Sequence, residues 1–476
     1  MHTILQNSDK IFDSIVEVFL VDDFKQLSNK LFSDEEINFI KNQKENAEKD
    51  TIIINKLTQI RIVHFYNKDI ELQQIKEKCR IAGDKICNVS NEYLFENLIV
   101  TDLSENKTIC YALVEGISLG NYQFIKYKSK QKQNTLKNIF INNESITNQD
   151  IVEILILTDA VYKCKDLVNE PLTFLNAVKF SEIMIEMGKN AGFKVEVFDK
   201  RKIESLKMGG LLAVNRGSID PPTFSILEYK PENAINEKPY IFVGKGVVYD
   251  TGGVNIKPGD YMLDMKCDMG GAAAVASAIF AIAKSKLPVY VIGLIPATDN
   301  RPDGNAYVPG DVLTMFTGKT VEVMNTDAEG RLILADALGF ASKYNPELVI
   351  NIATLTGAAS RAIGSYGIVA MHAKAEKEFD LLKQSGYNVY ERLAEFPFWD
   401  EYNELIKSDV ADIKNLGGAE AGMITAGKFL YEFTDYPFIH LDIAGPVYLS
   451  KRDSYRGKSA TGCGVRLFFD FIKNKI

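Results

Sequence analysis

The spacing of hydrophobic positions changes along this chain, and those changes outline its architecture. Over residues 1–148, short apolar runs such as 52–54 read as strands. They alternate with charged stretches such as 71–81, whose apolar residues recur at helical spacing. A small α/β domain is predicted there. Residues 151–167 again carry apolar side chains at helical spacing, and Asn169-Glu170-Pro171 stops them, because proline cannot continue a helix. A connecting helix is therefore expected over 149–170.

From Phe174 onward, strands and helices take turns. Residues 240–243, 288–295 and 348–355 read as buried strands, 270–284 as an Ala-rich helix, and 330–344 as a helix apolar nearly all round. This pattern predicts an α/β fold whose C-terminal part, 171–476, is a doubly wound mixed sheet flanked by helices. In such a sheet the site lies at the C-terminal ends of the strands.

Composition changes this picture little. The chain has 476 residues, enough for two domains, with 46% hydrophobic and 25% charged residues. Its net charge of −8 does not suggest a nucleic-acid partner. The Lys-rich run 126–137 is a lone basic stretch in an acidic chain and reads as a solvated loop. Cys79, Cys87, Cys110, Cys164, Cys267 and Cys463 are scattered without a C-x-x-C pair, which points to free thiols in a reducing compartment. Asp9, Lys10, Asp13 and Glu17 interrupt the first twenty residues, so no signal-peptide core is expected. No run of about 20 apolar residues is read that would suit a membrane helix. A cytoplasmic protein is expected. Gly116-Ile117-Ser118-Leu119-Gly120 fits a nucleophile-elbow pattern but lacks a convincing Asp and His arrangement, and it reads as a turn.

The chemistry concentrates in three segments. Asn325-Thr326-Asp327-Ala328-Glu329-Gly330-Arg331-Leu332 sets two carboxylates and a guanidinium at alternate positions. In extended backbone all three would face one way. Upstream, Lys245, Asp250 and Lys257 lie among glycines, and Asp268 follows in Met265-Lys266-Cys267-Asp268, all expected on loops or strand ends. Like charges this close need a cation between them. His2, His64, His372 and His440 are scattered and form no zincin motif, whereas carboxylate oxygens suit hard or borderline divalent ions. Four carboxylates and a lysine exceed the needs of one tetrahedral ion but fit two sharing bridging carboxylates, which is equipment for amide hydrolysis.

These motifs, with VINIATLTG at 349–357, ITAG at 424–427 and HLDIAG at 440–445, resemble the M17 leucyl aminopeptidases, and NTDAEGRL is that family's signature. The resemblance covers most of the C-terminal two-thirds and implies a macro-domain-like N-terminal sheet. It further implies a metal-dependent exopeptidase that releases apolar N-terminal residues from peptides. Two divalent ions, zinc or manganese, and a bicarbonate would be its cofactors.

By the same resemblance, Asp250 and Glu329 bridge the metals, Lys245 and Asp268 complete the tighter site, and Asp327 completes the more exchangeable one. Lys245 would bind as neutral amine, with its pKa strongly lowered. Lys257 would stay cationic and face the developing oxyanion, and Arg331 would hold bicarbonate as general base. Met265, Thr354, Gly357, Ala444 and Val447 would line the substrate pocket, with core packing as the competing reading for each. The family also implies a homohexamer. Two other readings remain open: DNA binding through the N-terminal domain, and a catalytically silent scaffold.

Overall fold

The computed structural model describes residues 4–7 and 15–476; His2, Asp9, Lys10 and Asp13 lie outside the described residues. The chain divides into two compact units. One runs through Tyr162 and takes back Lys451–Gly457; the other comprises Lys163–Ser450 and Lys458–Ile476. The division falls inside the long helix Asn148–Asn169, and the return of 451–457 to the first unit has no counterpart in the sequence reading.

In the N-terminal unit, strands β1 (Ile4–Asn7), β2 (Ile15–Val21), β3 (Thr51–Asn55), β4 (Gln59–Phe65), β5 (Asn97–Asp102) and β6 (Asn138–Asn142) form one sheet. Their order is β1-β6-β5-β2-β4-β3, parallel except for the antiparallel edge strand β3. Helices α1 (Asp34–Glu45), α2 (Leu72–Glu92) and α3 (Lys107–Gly120) accompany it, and α4 is Asn148–Asn169. Ser33 opens α1 with a capping box, its Oγ accepting from Glu36 N while the Glu36 carboxylate accepts from Ser33 N.

The segment Gly116 to Gly120 is not a turn but the last part of α3. Glycine is needed at 116 for packing, since a Cβ there would lie 2.2 Å from the Arg80 carbonyl oxygen on α2. The Lys-rich stretch after α3 carries no regular structure and is mostly exposed.

The second unit is built on a nine-stranded mixed sheet. Its strands are β7 (Lys194–Phe198), β8 (Thr223–Tyr229), β9 (Tyr240–Gly244), β10 (Gly246–Asp250), β11 (Val291–Asn300), then β14 (Leu348–Ala353), β15 (Ile368–Ala373), β16 (Leu393–Glu395) and β18 (Phe438–Asp442). The strands β12 (Val312–Thr314), β13 (Thr320–Glu322) and β17 (Ile413–Lys414) form a separate small sheet. In the large sheet, β11, β9, β14 and β18 are adjacent and parallel, and β10 joins parallel to β11. Antiparallel β8 and β15 flank this parallel core.

The helices are α5 (Ala177–Ala191), α6 (Lys200–Ser205), α7 (Gly209–Asn215), α8 (Gly270–Lys284), α9 (Glu329–Ala341), α10 (Gly357–Ile363), α11 (Glu376–Val389), α12 (Gly422–Tyr431) and α13 (Val465–Lys473). A large apolar cluster joins Leu332, Leu334 and Leu338 of α9 to Ile241, Val243 and Leu294 of the sheet. Every residue of α9 is buried, as its all-round apolar pattern predicts. Asp336 on α9 is also buried, and its carboxylate accepts from Leu211 N at 2.9 Å and Phe316 N at 2.8 Å. It thereby ties α7 and the loop after β12 to α9.

Among the described residues, the helical stretch Met265–Lys284 is long and apolar enough to cross a membrane, with a mean hydropathy of 1.3. It is 89% buried inside the protein, so its apolar length answers to the core rather than to lipid.

Candidate active site

The central parallel strands end at one place, and the chemistry-bearing residues stand there. Lys245 follows β9, Asp250 ends β10, Asn300 ends β11, Thr354 follows β14 and Asp442 ends β18. Asp268 sits in the short 3-10 helix Met265–Met269 rather than on an open loop. Asp327 lies in a turn, while Glu329 and Arg331 belong to the first turn of α9. The expected extended alternation of these three is therefore absent. Asp327 and Glu329 meet because the helix begins between them.

One carboxylate oxygen from each of Asp250, Asp327 and Glu329 lies within 4.8 Å of the others. Two ammonium groups stand between the acids. Lys257 Nζ is 2.6 Å from Asp250 and 2.7 Å from Asp327. Lys245 Nζ is 2.7 Å from Asp268 and 2.9 Å from Glu329, and it donates to the Thr354 carbonyl at 2.9 Å.

Two glycines make this approach feasible. A Cβ on Gly330 would stand 2.3 Å from Lys245 Cε, so α9 can only start here with glycine second. Gly252 has φ of +90°, and a side chain there would also crowd Asp327.

The cluster is graded in exposure. Lys245, Asp250, Asp268 and Glu329 are buried, Lys257 is half-buried and Asp327 is exposed. Burial disfavours the charge on Lys245, but Asp268, Glu329 and Asp250 outweigh it and hold the amine above the ordinary lysine range. Carboxylates surround this amine and favour its charged form. Partial desolvation of its carboxyl group, reinforced by Asp250 and Glu329, pushes Asp327 up to about 6.

The donor set fits a pair of divalent ions. Four carboxylates meet two ammonium groups, leaving two negative charges in a largely buried space. Asp268 Oδ2, though 2.7 Å from Lys245 Nζ, takes no well-directed hydrogen bond from the described residues. An all-oxygen set with one amine is the chemistry of hard or borderline cations.

Arg331 is buried, and its Nη1 donates to the Asn415 carbonyl at 2.8 Å. Its Nε has no hydrogen-bond partner among the described residues. Burial lowers its pKa to about 10, against the opposing pull of Glu329 and Asp442, so it stays charged at neutral pH.

Sequence reasoning missed the residues that hold this arrangement. Asn300 Nδ2 donates to Asp250 Oδ1 at 2.8 Å and to the Thr326 carbonyl at 3.0 Å. Thr326 Oγ1 donates to the Gly252 carbonyl at 2.6 Å, and Asn255 Oδ1 accepts from Thr326 N at 2.9 Å. The Asn415 side chain accepts from Met324 N at 2.7 Å and donates to the Asn325 carbonyl at 2.8 Å. Each pairs with backbone distant in sequence, so no local spacing marks it.

Of the expected pocket residues, Thr354 and Val447 are buried, Met265 and Ala444 are half-buried and Gly357 is exposed. Thr354 is not simply an apolar lining group. Its Oγ1 donates toward Asp268, 2.7 Å from Oδ1 and 3.0 Å from the carbonyl, and so orients that carboxylate.

Comparison with known proteins identifies the family. Residues 162–469 match the catalytic domain of the cytosol aminopeptidase family. A "Probable cytosol aminopeptidase" of Chlorobaculum tepidum is 48% identical over 377 residues, covering 76% of this chain and 74% of the relative. Another, from Clostridium perfringens, is 37% identical and covers 85% of each chain.

Among solved structures, a tomato leucine aminopeptidase mutant aligns with a TM-score of 0.87 at 25% identity, covering 99% of this chain and 96% of that one. The bottromycin maturation enzyme BotP in complex with Mn aligns with a TM-score of 0.86 at 26% identity, covering 98% and 100%.

Fold and site define a hydrolase of the metal-dependent exopeptidase class. The chain belongs to the cytosol aminopeptidase family and is an aminopeptidase.

Proposed function

We propose that this protein releases Leu and other apolar N-terminal residues from peptides, using two divalent ions held by Lys245, Asp250, Asp268, Asp327 and Glu329. The observation that carries the reading is the convergence of four carboxylates with two net charges unmatched at the ends of the parallel strands. When bound, the ions lower the pKa of a shared water and polarise the scissile carbonyl, and bicarbonate supplies the general base.

Asp250 and Glu329 stand centrally, which suits bridging. Lys245 and Asp268 complete the buried site, and Lys245 must give up its proton to serve as a ligand. Asp327, the exposed member, suits the ion that exchanges more readily. The Lys257 ammonium donates to the oxygen that gains charge as the carbonyl is attacked, which stabilises the transition state electrostatically. Arg331 offers its planar fork to bicarbonate, and its free Nε supports that role. Met265, Thr354, Gly357, Ala444 and Val447 surround the side chain of the N-terminal residue.

We place the enzyme in the cytoplasm, in keeping with the names of its relatives and with six buried cysteines that form no disulfide. A homohexamer with zinc or manganese completes the proposal; the Mn complex of BotP supports the choice of metal type. The test is hydrolysis of Leu-p-nitroanilide, stimulated by Mn²⁺ and lost on chelation. Full activity after exhaustive EDTA dialysis, with no metal by elemental analysis, refutes it.

A further inference from the structure

Asp442 ends β18 and is 1% exposed. Its Oδ1 accepts from Leu355 N at 3.1 Å and from Ala444 N at 3.1 Å, and its Oδ2 accepts from Thr356 Oγ1 at 2.7 Å. These donors come from two loops. Leu355 and Thr356 lead from β14 into α10, where Thr356 is the N-cap and its Oγ1 accepts from Ala359 N at 3.0 Å. Ala444 belongs to the turn that follows β18.

That turn also reaches the far end of α10. A Cβ on Gly445 would lie 2.0 Å from the carbonyl oxygen of Gly364, the residue that closes the helix. Residues 442–445 therefore hold α10 at both ends, by one carboxylate and one backbone contact.

We propose that Asp442 is a positioning residue that sets selectivity for the substrate's N-terminal side chain, by fixing the separation of the 354–357 loop from the 444–447 turn. The inference rests on the pocket reading above, in which Thr354 and Gly357 line one side and Ala444 and Val447 the other. A single buried acceptor shared by both sides is the joint between them. Shifting either loop takes a donor away from the buried Asp442 carboxylate, so the spacing is stiff. Asp442 takes its hydrogen bonds from the two pocket loops and none from Lys245, Lys257 or Arg331, so its direct contacts are with the pocket walls.

The experiment compares Asp442→Ala and Asp442→Asn with the parent enzyme, loaded with Mn²⁺, on Leu-, Ala- and Phe-p-nitroanilide, together with metal content and melting temperature. In Asp442→Ala the Leu-over-Ala ratio of kcat/KM should fall about tenfold, the worth of roughly one methylene of fit, chiefly through KM and with metal content unchanged. Asp442→Asn keeps an acceptor for the two amides and can donate to Thr356, so it should restore most of the ratio. An equal loss on all three substrates overturns the proposal, since a purely structural role scales every rate alike.

If Asp442→Ala does not fold, Thr356→Val, which removes the Oδ2 contact, must shift the ratio in the same direction; an unchanged ratio overturns the proposal. Ala444→Leu separates the two levels of argument. No change of selectivity in that variant refutes the pocket reading. A change there, with none in Asp442→Ala, refutes only the role of Asp442.

Discussion

The main-chain carbonyl of Asn415 accepts from Arg331 Nη1 at 2.8 Å, while the Asn415 side chain holds the backbone of Met324 and Asn325, just ahead of Asp327. One fully buried residue thus fixes both the guanidinium and the entry to the carboxylate turn.

Asn415→Ala should leave the fold intact but lower kcat and metal affinity about 10–100-fold, the usual effect of losing a residue that orients ligands. Steady-state kinetics and a metal titration check this. Parent values for both would mean that the backbone of 324–325 needs no such anchor.

Glu329→Ala should abolish turnover and metal binding together, because in the proposed function this carboxylate serves both ions. Elemental analysis beside the rate assay decides; a variant with its full metal complement contradicts the bridge.

Arg331→Ala should lower kcat while metal content stays at the parent level, since in the proposed function the guanidinium holds bicarbonate and is no metal ligand. An unchanged kcat removes its proposed role.

Acid stability should depend on His64. This imidazole is buried between Thr51 Oγ1 at 3.0 Å and Cys79 Sγ at 3.6 Å, and burial lowers its pKa to about 4. Its folded pKa lies below the unfolded value of about 6.5, so the unfolded chain binds the extra proton between those values. The stability tied to neutral His64 is complete above pH 6.5 and is lost as pH falls toward 4. Between pH 7 and 5 the loss is about 2 kcal/mol. Denaturant titrations at both pH values should show a smaller drop for His64→Gln than for the parent.

Gly116→Ala should destabilise the N-terminal unit by about 1–3 kcal/mol, because the new methyl meets backbone of α2 that cannot rotate away. A chemical-denaturation midpoint equal to the parent's would show that α2 and α3 can separate without loss.

The candidate site was partly legible because its ligands stand close together in sequence. Asp250 with Lys257, and Asp327 with Glu329, are each a few residues apart among glycines that have no other evident use. Strand alternation was expected to bring Asp327, Glu329 and Arg331 together, yet Asp327 and Glu329 meet through the start of α9 beside Gly330. Residue types therefore pointed to the right chemistry through the wrong local geometry. The reading of Gly116 to Gly120 as a turn failed for a related reason. Glycine permits both a turn and a close helix contact, and only the neighbouring helix decides which.

Periodicity and motif spacing by themselves determined the α/β class, the buried helices α8 and α9, and the acidic and basic groups around which the chemistry is built. Those features are local, because a side chain's charge and the period of an apolar face depend on nearby residues alone. Tertiary structure alone decided the carboxylates that surround Lys245, the support of Asn300 and Asn415, and the hydrogen bonds gathered at Asp442. In each case the partners lie far apart in the chain, and their hydrogen bonds and charges act only once parallel strands bring their ends together.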